Sequence, residues 1–88
     1  MRLDQFLKLS RLIKQRTMAK QACDGGRISL MGRNARAGGE VHVGDEIVLN
    51  LRDRFIRVRV VEVPKGNVSK VRSRTLYEVL EERDVTSF

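Results

Sequence analysis

The sequence is poor in the residue types that build metal centres, disulfides and base-stacking platforms. Its 88 residues include one Cys, one His, one Tyr, three Phe and no Trp. One Cys cannot form a disulfide framework, and one Cys with one His cannot supply the four ligands of a dedicated Cys/His zinc site. Apolar runs are short, whereas a membrane-spanning helix needs roughly 20 apolar residues. We therefore expect no cofactor, no metal and no membrane span, in a protein of the reducing cytoplasm.

Acidic residues are scarce in one part of the chain only. Lys and Arg number 18, Asp and Glu number 11, and the net charge is +7. Residues 1–36 hold nine Lys or Arg and two acids, Asp4 and Asp24, whereas residues 37–88 hold nine of each sign. This segregation favours a nucleic acid as partner. The alternatives are a solubility charge without a partner, and an adaptor for a membrane surface or an acidic protein.

The scarcity of aromatic residues bears on the kind of nucleic acid. Proteins that bind single strands stack bases on aromatic side chains, but the only aromatic residue in the basic segment is Phe6, which its spacing predicts to be buried. The segment is therefore expected to contact phosphates and the shape of folded RNA. Duplex DNA is less favoured, because the one candidate recognition helix is short and carries Asp24.

Apolar spacing predicts two short helices near the N-terminus. The stretch RLDQFLKLS places Leu3, Phe6, Leu7 and Ser10 on one face. After the connector RLIKQR, in which Leu12 and Ile13 are expected to be buried, TMAKQACDGG predicts a second helix. Thr17 is its expected N-cap and Gly25 or Gly26 its left-handed stop. Its expected buried stripe consists of Met18, Ala19, Ala22 and Cys23.

From Arg27 onward, the apolar period changes to two, which predicts strands. RISLMG should be a strand that ends in a turn at 32–34. Val41 and Val43 should be buried on one face with His42 pointing outward, before a turn at Gly44-Asp45. EIVLNL and FIRVRVVEV predict a hairpin, 64–74 a mobile basic loop, and TLYEVLEE a final strand. The expected core by spacing is Leu3, Phe6, Leu7, Ala19, Ala22, Ile28, Val43 and Ile47.

The predicted fold class is therefore α+β, with two N-terminal helices packed on a small, bent, mostly antiparallel sheet. Residues 1–63 are expected to form an RNA-binding domain. Residues 64–88 should add a basic loop, a final strand and a charged tail packed on the same domain.

Nothing in the chain predicts catalysis. There is no phosphate-binding Gly-Lys-Ser/Thr loop and no Ser/His/Asp spacing. Cys23 is expected to be a small core residue. Asp45 and Glu46 are adjacent beside a turn, whereas paired catalytic carboxylates must converge across a cleft. We therefore expect a protein that is not an enzyme.

Four pieces in order carry a family resemblance: RLDQFL, RTMAKQAC, GRISLMG and VHVGDEIVL. This order resembles the S4 RNA-binding domain family, named after a ribosomal small-subunit protein. The matching positions are Arg2, Asp4, Leu7, Arg16, Ala19, Gly26, Ile28, Leu30, Gly32, Val41, Gly44 and Asp45. Met31 departs from the pattern, because the family usually has Asn before that Gly. The resemblance implies a two-helix αL-type RNA-binding motif with extra C-terminal strands.

The whole chain resembles the small stand-alone bacterial members that act in ribosome quality control. That resemblance implies binding to rRNA of the large ribosomal subunit and to peptidyl-tRNA on obstructed large subunits. It also implies assistance to the factor that adds C-terminal alanine tails. Because the helices are short and Trp is absent, we expect no membrane partner, and we expect a monomer off the ribosome. Heat-shock-type S4 proteins, which recycle stalled large subunits, are the alternative, but they usually end in a longer basic extension and this chain ends in EERDVTSF.

The expected RNA-binding residues are the cations of the helix–connector–helix–strand unit with one hydroxyl: Arg2, Lys8, Arg11, Lys14, Arg16, Thr17, Lys20, Arg27 and Arg33. Asp4 is expected to orient a neighbouring Arg and the start of the first helix rather than to touch RNA. A second basic group, Lys65, Lys70, Arg72 and Arg74, is either a solvated linker or a contact to a partner.

Overall fold

The computed structural model describes residues 1–84, arranged as three helices and one antiparallel sheet. The helices are α1 (Leu3–Leu9), α2 (Arg16–Asp24) and α3 (Lys70–Ser73). The strands are β1 (Ile28–Leu30), β2 (Arg33–Asn34), β3 (Glu46–Asn50), β4 (Arg54–Val60) and β5 (Tyr77–Asp84). The sheet order is β2-β1-β3-β4-β5, and every neighbouring pair is antiparallel. The predicted α+β class is confirmed.

Helix α1 follows the predicted apolar spacing. Leu3, Phe6 and Leu7 are completely buried, and the Ser10 hydroxyl donates to the Leu7 carbonyl at 3.2 Å. Burying a large apolar side chain of this kind contributes roughly 1.5–3 kcal/mol. The Leu3 amide donates to the Gly39 carbonyl at 2.7 Å, which fixes the start of the helix against a distant loop.

Helix α2 departs from the prediction at its start and on its buried face. It begins at Arg16 with Gln15 as N-cap, so Thr17 lies inside the first turn and is not the cap. The buried stripe is narrower than expected, because Ala19 and Cys23 are buried, Ala22 is half-buried and Met18 is 48% exposed.

The chain reverses between β1 and β2 at Met31-Gly32 rather than at the predicted 32–34. Leu30 pairs with Arg33, so the loop has two residues, and both have positive φ, 52° for Met31 and 82° for Gly32. Such tight hairpins favour Asn-Gly, because both central residues are left-handed. Arg33 therefore lies in a strand and not in the turn.

The predicted strand around His42 does not form beyond a single bridge between Arg2 and Glu40. Val41 is buried as expected, but Val43 is 65% exposed, so its assignment to the core is wrong. The predicted turn at Gly44 is present, with φ at 94°, and the Gly44 amide donates to the Val60 carbonyl. This early turn takes Val43 away from the core.

Residues 64–74 contain helix α3 and are not the featureless loop that was predicted. The Ser69 hydroxyl caps the helix by accepting from the Arg72 amide at 3.2 Å, and Ser73 is buried. Leu76 is completely buried and leads into β5, which pairs with β4 from Tyr77 to Asp84. The division into 1–63 and 64–88 stays a prediction, and the end of the expected charged tail lies outside the described residues.

Candidate nucleic-acid interface

One buried carboxylate near the N-terminus holds two arginines. Asp4 lies in the first turn of α1 and is 3% exposed. Its Oδ1 atom is 3.2 Å from Arg2 Nε, its Oδ2 atom is 3.3 Å from Arg16 Nε, and the Gln5 amide donates to Oδ1 at 2.8 Å. The side chains of Arg2 and Arg16 are 55% and 50% exposed. The prediction that Asp4 orients a neighbouring arginine is confirmed, and it orients two.

The surroundings of Asp4 keep it ionised. Burial alone would raise the pKa of this carboxyl group, but the hydrogen bonds from Arg2 and Arg16, the charge of Arg16 and the Gln5 amide together lower the pKa below its usual value. The two guanidinium groups therefore contact a carboxylate that is ionised at neutral pH, and both arginine side chains are about half exposed to solvent.

The last turn of α1 and the connector that follows it present three further predicted cations. Lys8, Arg11 and Lys14 line a shallow pocket with Leu9 and Val68. Leu12 and Ile13 are buried beneath it, as expected. Arg11 has φ at 63°, directly after the end of α1, where a left-handed residue is usually Gly. A non-Gly residue in this conformation costs roughly 1–2 kcal/mol, so the fold carries strain at a position that presents a cation.

A second, open groove brings Arg11, Lys14 and Arg27 together with residues that the sequence did not indicate. The turn between β3 and β4 contributes Arg52, Asp53 and Arg54 to its lining. Arg54 Nη2 donates to the Leu12 carbonyl at 3.1 Å, which ties this turn to the connector. The triplet Arg52-Asp53-Arg54 joins the two strands of the predicted hairpin, and nothing local in the sequence indicates that it meets a segment some 40 residues earlier.

The remaining predicted residues are exposed but lie outside both grooves. Lys20 and Thr17 lie on α2, and Arg33 lies on the two-residue edge strand β2. The structure thus gathers the predicted set into two groups, one around Asp4 and one around the connector, and leaves these three residues at the periphery.

The cations of residues 1–36 are mostly free of acidic partners. Within residues 1–84, only Arg2 and Arg16 of the nine lie within 4.0 Å of a carboxylate, and both use Asp4. The other seven make no ion pair with a described residue: Lys8, Arg11, Lys14, Lys20, Arg27, Arg33 and Arg36. Arg36 is not among the residues predicted to bind RNA.

The side chains that could carry chemistry do not converge. Cys23 is buried, and this burial, with the charges of Asp24 and Asp4, raises the pKa of the thiol to about 11, so it stays neutral. Over residues 1–84, no cluster of His, Cys, Asp and Glu could hold a metal ion. No helix in the same range is long and apolar enough to cross a membrane.

A sequence profile of the S4 domain matches residues 1–48, more than half of the chain. The chain therefore belongs to the S4 domain family. The matched range contains α1, the connector, α2, β1 and β2, and all nine residues predicted to bind RNA.

Relatives across nearly the whole chain narrow this assignment. The chain is 46% identical over 86 residues to the RQC P-site tRNA stabilizing factor of Halalkalibacterium halodurans, covering 98% of this chain and 97% of the relative. It is 44% identical to the protein of the same name in Bacillus subtilis, covering 93% and 94%. Within the S4 family, the chain belongs with these RQC P-site tRNA stabilizing factors.

Among solved structures, the trimeric heat shock protein 15 of Vibrio cholerae superposes with a TM-score of 0.81. The match covers 90% of this chain and 80% of the other, at 24% sequence identity. At that identity the likeness shows a shared fold.

Proposed function

We propose that this chain is a cytoplasmic RNA-binding factor of bacterial ribosome quality control. In this proposal, it binds peptidyl-tRNA and large-subunit rRNA on obstructed large ribosomal subunits, stabilises the P-site tRNA, and assists the factor that adds C-terminal alanine tails. It acts without catalysis, and off the ribosome it is a monomer. The full-length similarity to the RQC P-site tRNA stabilizing factors supports the choice of tRNA and of the quality-control setting.

One observation carries the proposal. Seven cations within residues 1–48, the range that matches the S4 domain, have no acid within 4.0 Å among the described residues. RNA phosphates are the missing counter-charges, and Lys and Arg that release counterions from phosphates supply most of the affinity for nucleic acid. The proposed contacts to RNA are the predicted ones: Arg2, Lys8, Arg11, Lys14, Arg16, Thr17, Lys20, Arg27 and Arg33.

Within that set, Arg2 and Arg16 are proposed as the fixed element. Asp4 accepts from Nε and Nη2 of Arg2 and contacts Nε of Arg16. These contacts orient both side chains and leave Nη1 of Arg2 and the terminal nitrogens of Arg16 available. An arginine fixed in this way loses less side-chain freedom when it binds a phosphate. The lysines are point charges on flexible stems and adapt to the RNA backbone.

Isolation of the tagged protein from cells tests the proposal. We expect it on free large ribosomal subunits that still hold peptidyl-tRNA, and both RNAs should be recovered with it. Recovery only on small subunits, or only with DNA, would overturn the proposal.

A further inference from the structure

The open groove between the connector, α2 and the β3–β4 turn combines an apolar floor with a basic rim. We propose that it holds one unpaired nucleotide of a folded RNA, with the base on the floor and the flanking phosphates on the rim. This inference deepens the proposed function and rests on RNA being the ligand. It assigns Met18, Leu51 and Arg52 to RNA recognition.

The floor of the groove is formed by a small cluster of apolar side chains. Leu12 and Ile13 are nearly buried at its base, and Ala22 and Leu51 are half-buried beside them. Met18 lines the same groove and is 48% exposed. A methionine side chain is flexible and polarizable and adapts to flat ligands, so it suits the face of a base where no aromatic residue is available.

The rim supplies cations in excess of what the protein itself neutralises. Five cationic residues and one acid, Asp53, line the groove. Arg54 is occupied, because it donates to the Leu12 carbonyl and lies 3.9 Å from Glu82. The other four have no acid within 4.0 Å among residues 1–84: Arg11, Lys14, Arg27 and Arg52.

The combination selects a nucleotide over simpler ligands. A free phosphate or a continuous RNA backbone would use the rim and leave the floor uncovered. Folded RNAs are recognised in sequence-specific proteins mainly through unstacked bases, which lie on apolar or planar surfaces and expose their edges. Gln21 lies in the groove wall, and its amide can both donate to and accept from a base edge.

Two RNA hairpins test the assignment, one with a continuous stem and one with a single unpaired adenosine in the same stem. The affinity of the full chain for each is measured by fluorescence anisotropy at one salt concentration. We expect the bulged hairpin to bind about threefold to tenfold tighter, at the low end of what base contacts provide, because no aromatic residue lines the groove.

A near-isosteric, uncharged substitution isolates the floor. Met18→Gln should abolish most of the preference for the bulge and leave affinity for the continuous stem unchanged. The matched control is Val79→Thr on β5, where the valine is 47% exposed. It should keep both affinities, and thermal denaturation of both variants should match the unmodified chain.

The outcomes separate this inference from the function on which it rests. Equal affinity for the two hairpins, or a preference that survives Met18→Gln, overturns the nucleotide site and leaves RNA binding in place. Binding to neither hairpin at low salt overturns both. Binding to phosphatidylglycerol vesicles that Met18→Gln abolishes would assign the groove to lipid and overturn it as well.

Discussion

The cations of residues 1–36 and those of the β4–β5 hairpin face different surroundings. On the hairpin, Arg57 pairs with Glu81 and Arg59 pairs with Glu78, each at 3.2 Å across neighbouring strands. Among the nine cations of residues 1–36, only Arg2 and Arg16 lie within 4.0 Å of a described carboxylate, and both contact Asp4. Exposed ion pairs contribute only about 0–1 kcal/mol to stability. The hairpin charges thus contribute modestly to the fold, whereas seven of the nine N-terminal cations have no acid within 4.0 Å among residues 1–84.

The use of the acids differs as well. The glutamates of β5 neutralise arginines directly opposite in the sheet. Asp4 neutralises little of the N-terminal charge but fixes the direction of Arg2 and Arg16. The paired charges of the hairpin thus join neighbouring strands, whereas most cations of residues 1–36 are exposed without an acidic partner among residues 1–84.

The largest effect is expected at the acid that the N-terminal arginines share. Asp4→Asn removes a buried anion that accepts hydrogen bonds from Arg2, Gln5 and Arg16, which should cost about 1–3 kcal/mol of unfolding free energy at neutral pH. The folded-state pKa of Asp4 lies below its unfolded value of 3.8. This contribution is therefore fully present above about pH 4 and is lost as the pH falls through the folded-state pKa.

Denaturant unfolding of both chains at a series of pH values measures this difference. The gap between the unmodified chain and Asp4→Asn should be constant from neutral pH down to about pH 5 and should shrink below pH 4. A gap that does not depend on pH would show that Asp4 stabilises the fold without its charge.

The next effect compares Arg16, which is proposed to bind RNA, with Arg59, which pairs with Glu78 across the sheet. Arg16→Ala should weaken binding to large ribosomal subunits by about tenfold or more, because a charge-assisted hydrogen bond contributes roughly 1.5–3 kcal/mol. Arg59→Ala removes the same charge from an arginine of similar exposure, 47% against 50%, and should leave binding unchanged. Co-sedimentation with purified large subunits measures both. If Arg16→Ala lowers the melting temperature sharply instead, Arg16 is a structural residue.

A smaller effect of opposite sign is expected at Arg11. Arg11→Gly relieves the left-handed backbone at φ 63° and should stabilise the fold by about 0.5–1 kcal/mol, while RNA affinity falls because a cation is lost. Arg11→Ala is the control, since it removes the same cation without easing the backbone. Urea unfolding and RNA binding are measured on both variants. Equal stability of the two would contradict the claim of strain.

The smallest effect is expected at the β1–β2 turn. Met31 occupies a left-handed position with φ at 52°, where Asn is tolerated far better. Met31→Asn should stabilise the fold by about 0.5 kcal/mol and should not change RNA affinity. Thermal denaturation of Met31→Asn and of the control Met31→Ala checks this, since Ala does not favour the left-handed conformation. A destabilised Asn variant would indicate that the contact from the Glu46 amide to Met31 Sδ at 3.3 Å matters more than the turn.

The sequence predicted the elements whose signal is local. Helix α1 and strand β4 follow from apolar spacing alone, and the displayed cations follow from the charge count of residues 1–36. It failed where a distant segment decides the outcome. Val43 alternates correctly with Val41 but is turned outward at Gly44. Arg52 lines a groove together with the connector, because Arg54 beside it binds the Leu12 carbonyl and ties the β3–β4 turn to that segment.

Two further misses have physical causes that a single sequence hides. Residues 64–74 lack an apolar period, yet a hydroxyl cap at Ser69 and the buried Leu76 organise them into α3 and the start of β5. By spacing, Met18 belongs to the predicted buried stripe of α2. In the structure, α2 buries only Ala19 and Cys23 fully, and Met18 lines the groove instead.

The salt dependence of binding to large ribosomal subunits tests the central claim most directly. About five phosphate contacts predict that log affinity falls with log salt with a slope of roughly −3.5 to −4.5. Removing three cations that have no acidic partner among residues 1–84 (Lys14→Ala, Lys20→Ala and Arg27→Ala together) should make the slope shallower by about 2 to 3. Removing three paired ones (Arg57→Ala, Arg59→Ala and Arg83→Ala) should leave it unchanged. A nearly flat slope in the unmodified chain, or equal changes in the two triple variants, would contradict the account.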